Sequence, residues 1–375
     1  MNARERVLAA IDRKPVDQIP TDIWATPEVW QMLRDRFGPE PDLLEALHID
    51  GFGGVGAQYV GPPLPEVAEG ESVNYWGIRS RAVDYGTGVY YEQSFYPLAE
   101  ARTIDDLERY RWPDADWFDY SQMRAAAQAA REKQAVKCGY MAIFFYHNLL
   151  RGLEQSLLDP HDDPEFTHHL LDRISDFFYE HHRRMFEACD GLIDVTEVTD
   201  DFGSQTGPLI SLETFRRWYR PHMERFIALC REFGIKVFHH DDGGVRPLLP
   251  DLVEMGIDVL NPVQWRCPGM EMESLKAEFG DRLCFHGAMD NQQVMPFGTP
   301  DDVRRMVRRA INTLAGDGTG YILAPCHALQ AVTPIENIIA MYDEAYRYGT
   351  RWAREAAGES EPRRRRREKG ASADV

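Results

Sequence analysis

A histidine and an aspartate stand two residues apart at the end of a short apolar stretch, in the sequence Val237-Phe238-His239-His240-Asp241-Asp242-Gly243-Gly244. The apolar residues are typical of a buried strand, and the two glycines indicate that the strand ends in a loop. Side chains alternate along a strand, so His240 and Asp242 share one face, opposite to their immediate neighbours. The imidazole and carboxylate of this pair could bind a divalent metal or transfer a proton. They could equally hydrogen-bond the following turn, and this stretch alone leaves that alternative open.

Polar side chains also follow five other apolar stretches that we predict to be strands. In chain order they are Tyr146 and His147, then Glu197, Asp200, Asp201 and Gln205, then Asn261 and Gln264, then His286 and Asp290, then Cys326, His327 and Gln330. In a parallel barrel the carboxyl ends of all strands face one shared pocket. One such residue would more often hydrogen-bond its own loop, but five successive sets predict a pocket. For Asp200 and Asp201, capping a helix or turn is an equal alternative.

These residues have three expected roles. The catalytic candidates are His240, Asp242, Asp200 and Asp201, and the substrate-binding candidates are Tyr146, Glu197, Gln205, Gln264, His286, Asp290 and His327. The expected metal ligands are His240, Asp242 and Cys326, with Glu197 as an alternative to the thiol. Nitrogen, oxygen and sulfur ligands together suit zinc with one position open for substrate. The other interpretation of Cys326 is a small buried apolar side chain, the usual fate of an intracellular cysteine.

The elements that would position these residues alternate between strands and helices from residue 135 to residue 354. Apolar strand stretches, the first of them at residues 136–146, are separated by helical segments of ~10–20 residues, which predicts parallel βαβ units. Their number and the length of 375 residues favour an α/β fold, a closed (β/α)8 TIM barrel, over an open sheet. No GxGxxG motif follows a predicted strand, which also argues against a dinucleotide-binding sheet.

We expect one barrel domain over residues 1–355, with two additions. Residues 61–97 combine proline-rich turns with alternating aromatic residues, which predicts a β-hairpin insertion. Residues 358–375 include the arginine run 363–367 and few apolar residues, so we predict a disordered basic tail. Removal of this tail is expected to leave folding and activity unchanged.

The composition of the chain argues against several classes of protein. The net charge of −19 argues against a nucleic-acid-binding body and against a polybasic membrane surface. Six scattered cysteines without a CxxC pair suit a reducing cytoplasm better than a disulfide framework. No apolar run reaches the ~18 residues of a membrane span, and the first residues lack the apolar core of a signal peptide. We therefore expect a cytoplasmic protein with a small-molecule substrate.

Several motifs, in this order along the chain, resemble the uroporphyrinogen decarboxylase superfamily. They are residues 4–20 (RERVLAAIDRKPVDQIP), 200–211 (DDFGSQTGPLIS), Phe215-Arg216, Pro221, 240–243 (HDDG), 261–264 (NPVQ), 287–290 (GAMD), 322–327 (ILAPCH) and 334–337 (PIEN). The first of them is similar to the start of the methyltransferase-like members. The resemblance spans nearly all of residues 1–350, and it implies an (α/β)8 barrel.

The superfamily has two branches with different chemistry. The decarboxylases remove acetate carboxylates from a tetrapyrrole without a cofactor, and their arginine-rich substrate motif is not evident here. The methyltransferases move a methyl group between a corrinoid and a thiol or similar acceptor, using zinc held by a His-x-Cys pair and a later cysteine. The resemblance implies that His240 and Cys326 match the histidine and the late cysteine, whereas Asp242 replaces the middle cysteine. A carboxylate makes the site harder, which suits an oxygen-containing substrate such as a methyl ether or a carboxylated molecule.

Three functional hypotheses follow. The leading one is a zinc-dependent methyltransferase that works with a corrinoid protein, closer to the methylcobalamin:coenzyme M methyltransferase-like members than to the true decarboxylase. The second is a cofactor-free decarboxylase in which Asp200, Asp201 and His240 handle protons. The third is a non-catalytic barrel that binds a small ligand. The metal content of the purified protein separates the first from the second. The sequence leaves the substrate and the oligomeric state open, including a homodimer.

Overall fold

Parallel strands form the centre of the molecule. The structure is a computed structural model that describes residues 1–40 and 42–358. Its strands are β1 (Phe52–Val55), β2 (Gln58–Tyr59), β3 (Glu71–Val73), β4 (Arg79–Asp84), β5 (Val89–Phe95), β6 (Phe118–Asp119), β7 (Ala135–Ala142), β8 (Val195–Thr199), β9 (Gly203–Ser204), β10 (Gly207–Pro208), β11 (Lys236–His240), β12 (Val259–Asn261), β13 (Cys284–Met289) and β14 (Tyr321–Pro325). Seven of them form one parallel sheet in the order β1, β7, β8, β11, β12, β13, β14.

This sheet curls into a ring that an extended N-terminal segment closes. Thr21 pairs in parallel with Leu323 of β14, where the Asp22 amide donates to the Leu323 carbonyl at 3.0 Å. On the other side, the amides of Asp50 and Gly51, just before β1, donate to the Thr21 carbonyl at 3.1 and 3.0 Å. Seven strands and one extended segment thus complete a TIM-barrel-like ring, and the fold prediction is confirmed.

Helices surround the ring and fill most of the connections between its strands. They are α1 (Ala3–Ile11), α2 (Pro27–Phe37), α3 (Leu43–Ala46), α4 (Ile104–Arg109), α5 (Met123–Arg131), α6 (Ile143–Arg151), α7 (Leu153–Asp162), α8 (Pro164–Cys189), α9 (Leu212–Thr214), α10 (Arg220–Glu232), α11 (Leu249–Met255), α12 (Met272–Phe279), α13 (Val294–Phe297), α14 (Pro300–Leu314) and α15 (Ile335–Ala356). A 3-10 turn (Ala115–Trp117) precedes β6, and a π-helical turn (Phe215–Tyr219) joins α9 to α10.

Helix α14 shows how the sequence produces these elements. Thr299 and Asp302 form a capping box at its start, which satisfies backbone amides that have no partner within the helix. Its buried side chains, Val303, Met306, Val307, Ala310, Ile311 and Leu314, recur at helical spacing. Such a stripe packs on the barrel while arginines on the opposite face remain in solvent.

The insertion differs in detail from the expected hairpin. Strands β3, β4 and β5 form a three-stranded antiparallel sheet, because residues 71–73 pair with the first half of β4.

No helix among the described residues is long and apolar enough to cross a membrane. Apart from Gly358, the predicted basic tail lies outside the described residues.

The strand predicted at residues 136–146 is longer than the strand that the structure contains. We expected the apolar run 136–146 to be extended throughout, but β7 ends at Ala142 and α6 begins at Ile143. Tyr146 and His147 therefore lie in a helix and not at a strand end. The physical reason is a cap from a distant residue, because the Asp200 carboxylate accepts the Ile143 and Phe145 amides at 3.2 and 2.8 Å.

Candidate functional site

Two carboxylates and one imidazole meet at the carboxyl ends of β8 and β11. Ligand atoms of Asp201, His240 and Asp242 all lie within 4.8 Å of one another. His240 Nε2 is 3.8 Å from Asp201 Oδ1, and the Asp242 amide donates to that same oxygen at 3.3 Å. We call these three residues the acid–histidine cluster. Its position matches the shared mouth where active sites of such barrels lie.

A buried hydrogen-bond chain sets the orientation of His240. Asp22 Oδ2 accepts His286 Nε2–H at 3.1 Å, so His286 Nδ1 is left to accept Asn261 Nδ2–H at 2.6 Å. The Asn261 side-chain oxygen then accepts His240 Nδ1–H, also at 2.6 Å. In its neutral form His240 consequently presents an unprotonated Nε2 to the acid–histidine cluster. Partners of this kind fix the tautomer and direction of metal-binding histidines.

Gln264, in the loop after β12, holds Asp242 in position. Gln264 Nε2 donates to Asp242 Oδ1 at 2.8 Å, and Gln264 Oε1 accepts the Gly243 amide at 2.8 Å. The other oxygen of Asp242 lies 3.8 Å from His327 Nε2. One carboxylate oxygen is therefore fixed by an amide, and the second stays available to a ligand.

The pKa directions follow from the concentration of negative charge. Burial opposes the charged form of His240, but attraction to Asp242, Asp201 and Glu197 outweighs this and raises the pKa of His240. Burial is the largest cause that raises the pKa of Asp201, and Asp242 adds to it while His240 opposes it. Two carboxylates crowded around one imidazole form a site that a cation would stabilise.

Gly243 allows the loop after β11 to pack closely on β9. Its φ of +90° is a backbone conformation that favours glycine, and an added Cβ would lie 2.5 Å from the Ser204 carbonyl oxygen. His239 and Asp241, which alternate along the chain with His240 and Asp242, are fully buried and do not belong to the acid–histidine cluster. The glycine thus sets the position of Asp242.

Two cavities lie near the acid–histidine cluster. The amide cavity has a volume of about 240 Å³ and is lined by Gln205, Asp242, Gln264, Trp265, Arg266, Cys267, Asp290, Asn291, Gln292, Cys326 and His327. The lysine cavity, of about 570 Å³, is lined by Asp22, Ile23, Trp24, Phe52, Gly54, Val55, Gly56, Lys137, Gly139, Tyr140 and Glu197. Asp242 borders the first and Trp24, whose ring is 5.2 Å from that of His240, borders the second. The amide cavity therefore touches the acid–histidine cluster at Asp242, whereas Trp24 stands between the lysine cavity's lining and His240 as their shared neighbour.

Several predicted site residues face these cavities. Gln205, Gln264 and His327 line the amide cavity, and Glu197 lines the lysine cavity. Asp290 lines the amide cavity but is only 5% exposed, since its carboxylate already accepts Arg266 Nε–H at 2.6 Å and the Gln292 amide at 2.9 Å. We therefore regard Asp290 as a residue that shapes the wall.

Other predicted residues lie away from the cavities. Asp200 is buried and caps α6, which is the capping alternative, and it lines neither cavity. Tyr146 is buried in α6 with its hydroxyl 2.8 Å from that of Tyr140. His286 has no exposed surface, and Asn261 links it to His240 by hydrogen bonds.

Cys326 lines the amide cavity but is not part of the acid–histidine cluster. Its thiol lies 3.4 Å from the Val263 carbonyl oxygen, and burial raises the pKa of this thiol. The residue that completes the cluster with His240 and Asp242 is Asp201. The expected ligand set of His240, Asp242 and Cys326 is revised accordingly.

Sequence reasoning missed several residues of the site. Lys137, Asp22 and Trp24 were not among the candidates, although Lys137 is a charged residue within an apolar strand, where buried parallel strands are otherwise apolar. Asn261 stood at a predicted strand end but received no role. The contact between Asp22 and His286 joins residues 264 positions apart, for which the local pattern contains no signal.

Comparison with known families identifies relatives with two activities. The profile of the family "Uroporphyrinogen decarboxylase (URO-D)" matches residues 73–348. A methylated-thiol–coenzyme M methyltransferase of Methanosarcina mazei is 28% identical over 195 residues, which cover 51% of this chain and 47% of the relative. A uroporphyrinogen decarboxylase of Thermus thermophilus is 29% identical over 177 residues, 46% of each chain. The matched stretches thus span about half the length of these curated relatives.

A solved structure supports the fold over a longer range. A methyltransferase from Methanosarcina mazei superposes with a TM-score of 0.65 at 19% identity, over 92% of this chain and 98% of that chain. At this identity the likeness concerns the barrel and not its chemistry.

Proposed function

This chain belongs to the uroporphyrinogen decarboxylase (URO-D) family, and from that premise we propose that it is a metal-dependent methyltransferase, with zinc as the metal and a corrinoid protein as partner. The observation that supports this most directly is the acid–histidine cluster, in which three ligand atoms lie within 4.8 Å of one another at the barrel mouth. The methyltransferase among the curated relatives favours methyl transfer over other chemistry.

The residues present fit a divalent ion. Asp201 and Asp242 would supply two oxygens and His240 one nitrogen, a set that zinc accepts with a further position open for substrate. The buried chain through Asn261 leaves His240 Nε2 free to serve as ligand. Gln264 occupies one oxygen of Asp242, so this carboxylate would bind through the other.

The ligand types of the acid–histidine cluster indicate the chemistry that a bound ion would supply. When bound, the ion would supply Lewis-acid stabilisation of the heteroatom that gives up or receives the methyl group. Two carboxylates and an imidazole make the site harder than one with cysteine ligands, which suits a donor oxygen in the small-molecule substrate. The lysine and amide cavities near the acid–histidine cluster would leave room for a methyl donor and an acceptor. The corrinoid, carried by its own protein, would be one of them.

The decisive measurement is the metal content of protein purified without added metal. We expect about one zinc ion per chain in the wild type. Asp242→Ala should weaken binding by roughly 100-fold or more, because it removes a charged ligand and unbalances the site. Asp242→Cys should restore or tighten binding, since a thiolate is a strong zinc ligand. Asp301→Ala, which removes an exposed carboxylate on α14, is the matched control and should keep the wild-type content.

The alternative function gives a different result. If the protein were a cofactor-free decarboxylase, neither Asp242 variant would alter metal content, because none would be bound. A metal-free wild type that retains activity after chelation would end the methyltransferase proposal. It would leave Asp201, His240 and Asp242 as proton-handling groups.

A further inference from the structure

Lys137 is a charged side chain on the otherwise apolar strand β7, and the acid–histidine cluster does not account for it. Its side chain is only 21% exposed and pairs with Glu197 on β8. Aromatic rings surround the ammonium, whose nitrogen lies 4.5 Å from the centre of the Phe238 ring, 5.3 Å from that of Trp24 and 5.9 Å from that of Phe52. Burying a charge costs free energy, and a strand of a parallel sheet does not need a charge to form.

The same three rings also pack against His286. Their centres lie 5.1 to 6.4 Å from the centre of the His286 ring. His286 is fully buried, and the Asp22 carboxylate that accepts its Nε2–H lines the same cavity as Lys137. The ammonium and the Asp22–His286 pair therefore share one set of apolar neighbours, and charges in such surroundings interact more strongly than charges in water.

Lys137 acts on both members of that pair. Burial raises the pKa of Asp22, but the hydrogen bond from His286 and the attraction to His286 and Lys137 outweigh burial, so this pKa is lowered. The pKa of His286 is lowered chiefly by burial, and repulsion from Lys137 adds to this while Asp22 opposes it. The ammonium thus favours an ionised Asp22 and a His286 ring that carries a single proton.

The protonation of this pair sets the direction of the buried hydrogen-bond chain. An ionised carboxylate only accepts hydrogen bonds, so it takes the His286 Nε2–H and leaves Nδ1 to accept from Asn261. If the pair gained one more proton, His286 Nδ1–H would become a donor, and the Asn261 amide would turn over to present its oxygen. Its NH2 group would then face His240 Nδ1, and His240 would carry its proton on Nε2, the nitrogen that faces the acid–histidine cluster.

We propose that Lys137 is a positioning residue for His240. Its charge holds the buried hydrogen-bond chain in the direction that leaves His240 Nε2 free to bind a metal ion. Glu197 and the three aromatic rings keep the ammonium in place beside the Asp22–His286 pair. This inference deepens the proposed function, and it rests on that function only for the use of the free nitrogen, since the direction of the chain is a property of the metal-free protein.

The positions of two protons test the proposal in chelator-treated protein. Proton–nitrogen correlation spectra of protein with isotope-labelled histidines show which ring nitrogens carry protons, and His240→Gln and His286→Gln assign the signals. In the wild type at about pH 7 we expect a proton on His240 Nδ1 and none on His286 Nδ1. In Lys137→Met the two nitrogens should exchange these states. Lys137→Arg keeps the charge and should retain the wild-type pattern.

Two further variants separate the charge from the fold. Lys236→Met is the matched control, since Lys236 begins β11, pairs with Asp12 and does not line the lysine cavity, and it should keep the wild-type pattern. Because Lys137→Met leaves Glu197 without its partner, the double variant Lys137→Met/Glu197→Gln is measured as well and should show the same exchange. Circular dichroism checks the fold of each variant, and the double variant decides if the single one does not fold.

Zinc affinity, measured by chelator competition, is a separate readout. Lys137→Met should bind zinc roughly tenfold more weakly than the wild type, because only about one molecule in ten would keep the binding-competent direction of the chain. Lys137→Arg should bind zinc as the wild type does.

Four results would overturn the proposal. They are a proton on His286 Nδ1 in the wild type, an unchanged pattern once Lys137 is replaced by Met, loss of the wild-type pattern in Lys137→Arg or Lys236→Met, and equal zinc affinity of the wild type and Lys137→Met. A wild type that binds no zinc would instead refute the proposed function. The proton positions in metal-free protein would then still decide the role of Lys137.

Discussion

His240 combines two properties that together suit it to bind a metal reversibly. Its Nδ1–H is committed to Asn261, so its other nitrogen faces Asp201. The surrounding carboxylates raise the pKa of His240, so in the metal-free protein it holds a proton to higher pH than an ordinary imidazole. That proton occupies the position that a metal ion would take, and the two must compete.

We predict that metal affinity rises with pH through the raised pKa of His240. Below this pKa the imidazolium blocks Nε2, so the affinity should continue to increase above pH ~6.5, the ordinary value for histidine. The same sign applies to folding of the metal-free protein. A raised pKa contributes stability that is fully present below the unfolded value and is lost as pH rises through the folded value. Competition titrations with a chromophoric chelator between about pH 5.5 and 8.5 measure the midpoint.

Glu197→Gln provides the control for this prediction. Glu197 raises the pKa of His240 without belonging to the acid–histidine cluster, so its neutralisation should move the midpoint to lower pH while the ligands remain. A wild-type midpoint at or below the ordinary histidine value would contradict the electrostatic argument. So would a midpoint that does not move in Glu197→Gln.

At the scale of elements, the two adjacent carboxylates that follow β8 have different roles. Asp200 points to the start of α6 and accepts two of its backbone amides, whereas Asp201 joins His240 and Asp242. Because helix α6 begins directly after β7, the capping carboxylate fixes the junction between the two elements. The same residue pair thus holds a wall of the barrel and contributes a carboxylate to the acid–histidine cluster.

We predict that Asp200→Ala lowers stability without changing metal affinity. Loss of the cap leaves the Ile143 and Phe145 amides without their acceptor, at a cost of about 2 kcal/mol in the free energy of unfolding. Urea denaturation of the metal-free protein measures this cost, and chelator competition measures affinity. Asp201→Ala should show the reverse pattern, with weaker metal binding and little loss of stability. A large loss of metal affinity in Asp200→Ala at full stability would contradict this assignment and would indicate that Asp200 takes part in metal binding.

The junction after β7 also shows how far the sequence alone could lead. Strand–helix alternation and strand-end polarity were enough to predict the barrel and to place His240 and Asp242 together. The apolar run 136–146 contains no residue that marks its change from strand to helix, because the cap comes from Asp200, 57 residues beyond Ile143. Cys326 was a reasonable ligand by family position, but only the three-dimensional arrangement shows that Asp201 is the residue grouped with His240 and Asp242.

At the scale of the whole molecule, the N-terminal helix fastens the end of the barrel opposite to the acid–histidine cluster. Arg4 in α1 donates from Nε and Nη2 to the two carboxylate oxygens of Asp194, at 2.9 and 2.6 Å. Asp194 lies just before β8 and also accepts the Val136 amide at 3.0 Å. The arginines of the opening motif therefore serve the structure, since Arg6 similarly pairs with Asp17 and with the buried Asp50.

We predict that Arg4→Ala destabilises the protein by about 2–3 kcal/mol, because it removes a two-point hydrogen bond to a nearly buried carboxylate. Metal affinity should stay unchanged, since the cluster lies at the other end of the strands. Arg304→Ala, which breaks an exposed pair with Asp301 one helical turn away, should cost no more than about 0.5 kcal/mol. Equal denaturation midpoints for the two variants would refute the assigned role of Arg4.

Closure of the ring through Thr21 has a consequence for the timing of folding during synthesis. The Tyr342 hydroxyl donates to the Asp22 carbonyl across 320 positions, and Leu323 pairs with the same segment. At roughly 5–20 residues per second, a ribosome delivers these partners roughly 15 seconds to a minute after Thr21. Until then the nascent ring has unpaired backbone edges, which are prone to pair with other chains. The hydrogen-bond chain that orients His240 needs His286 as well as Asp22, so His240 also waits for a late part of the chain before it takes its final orientation.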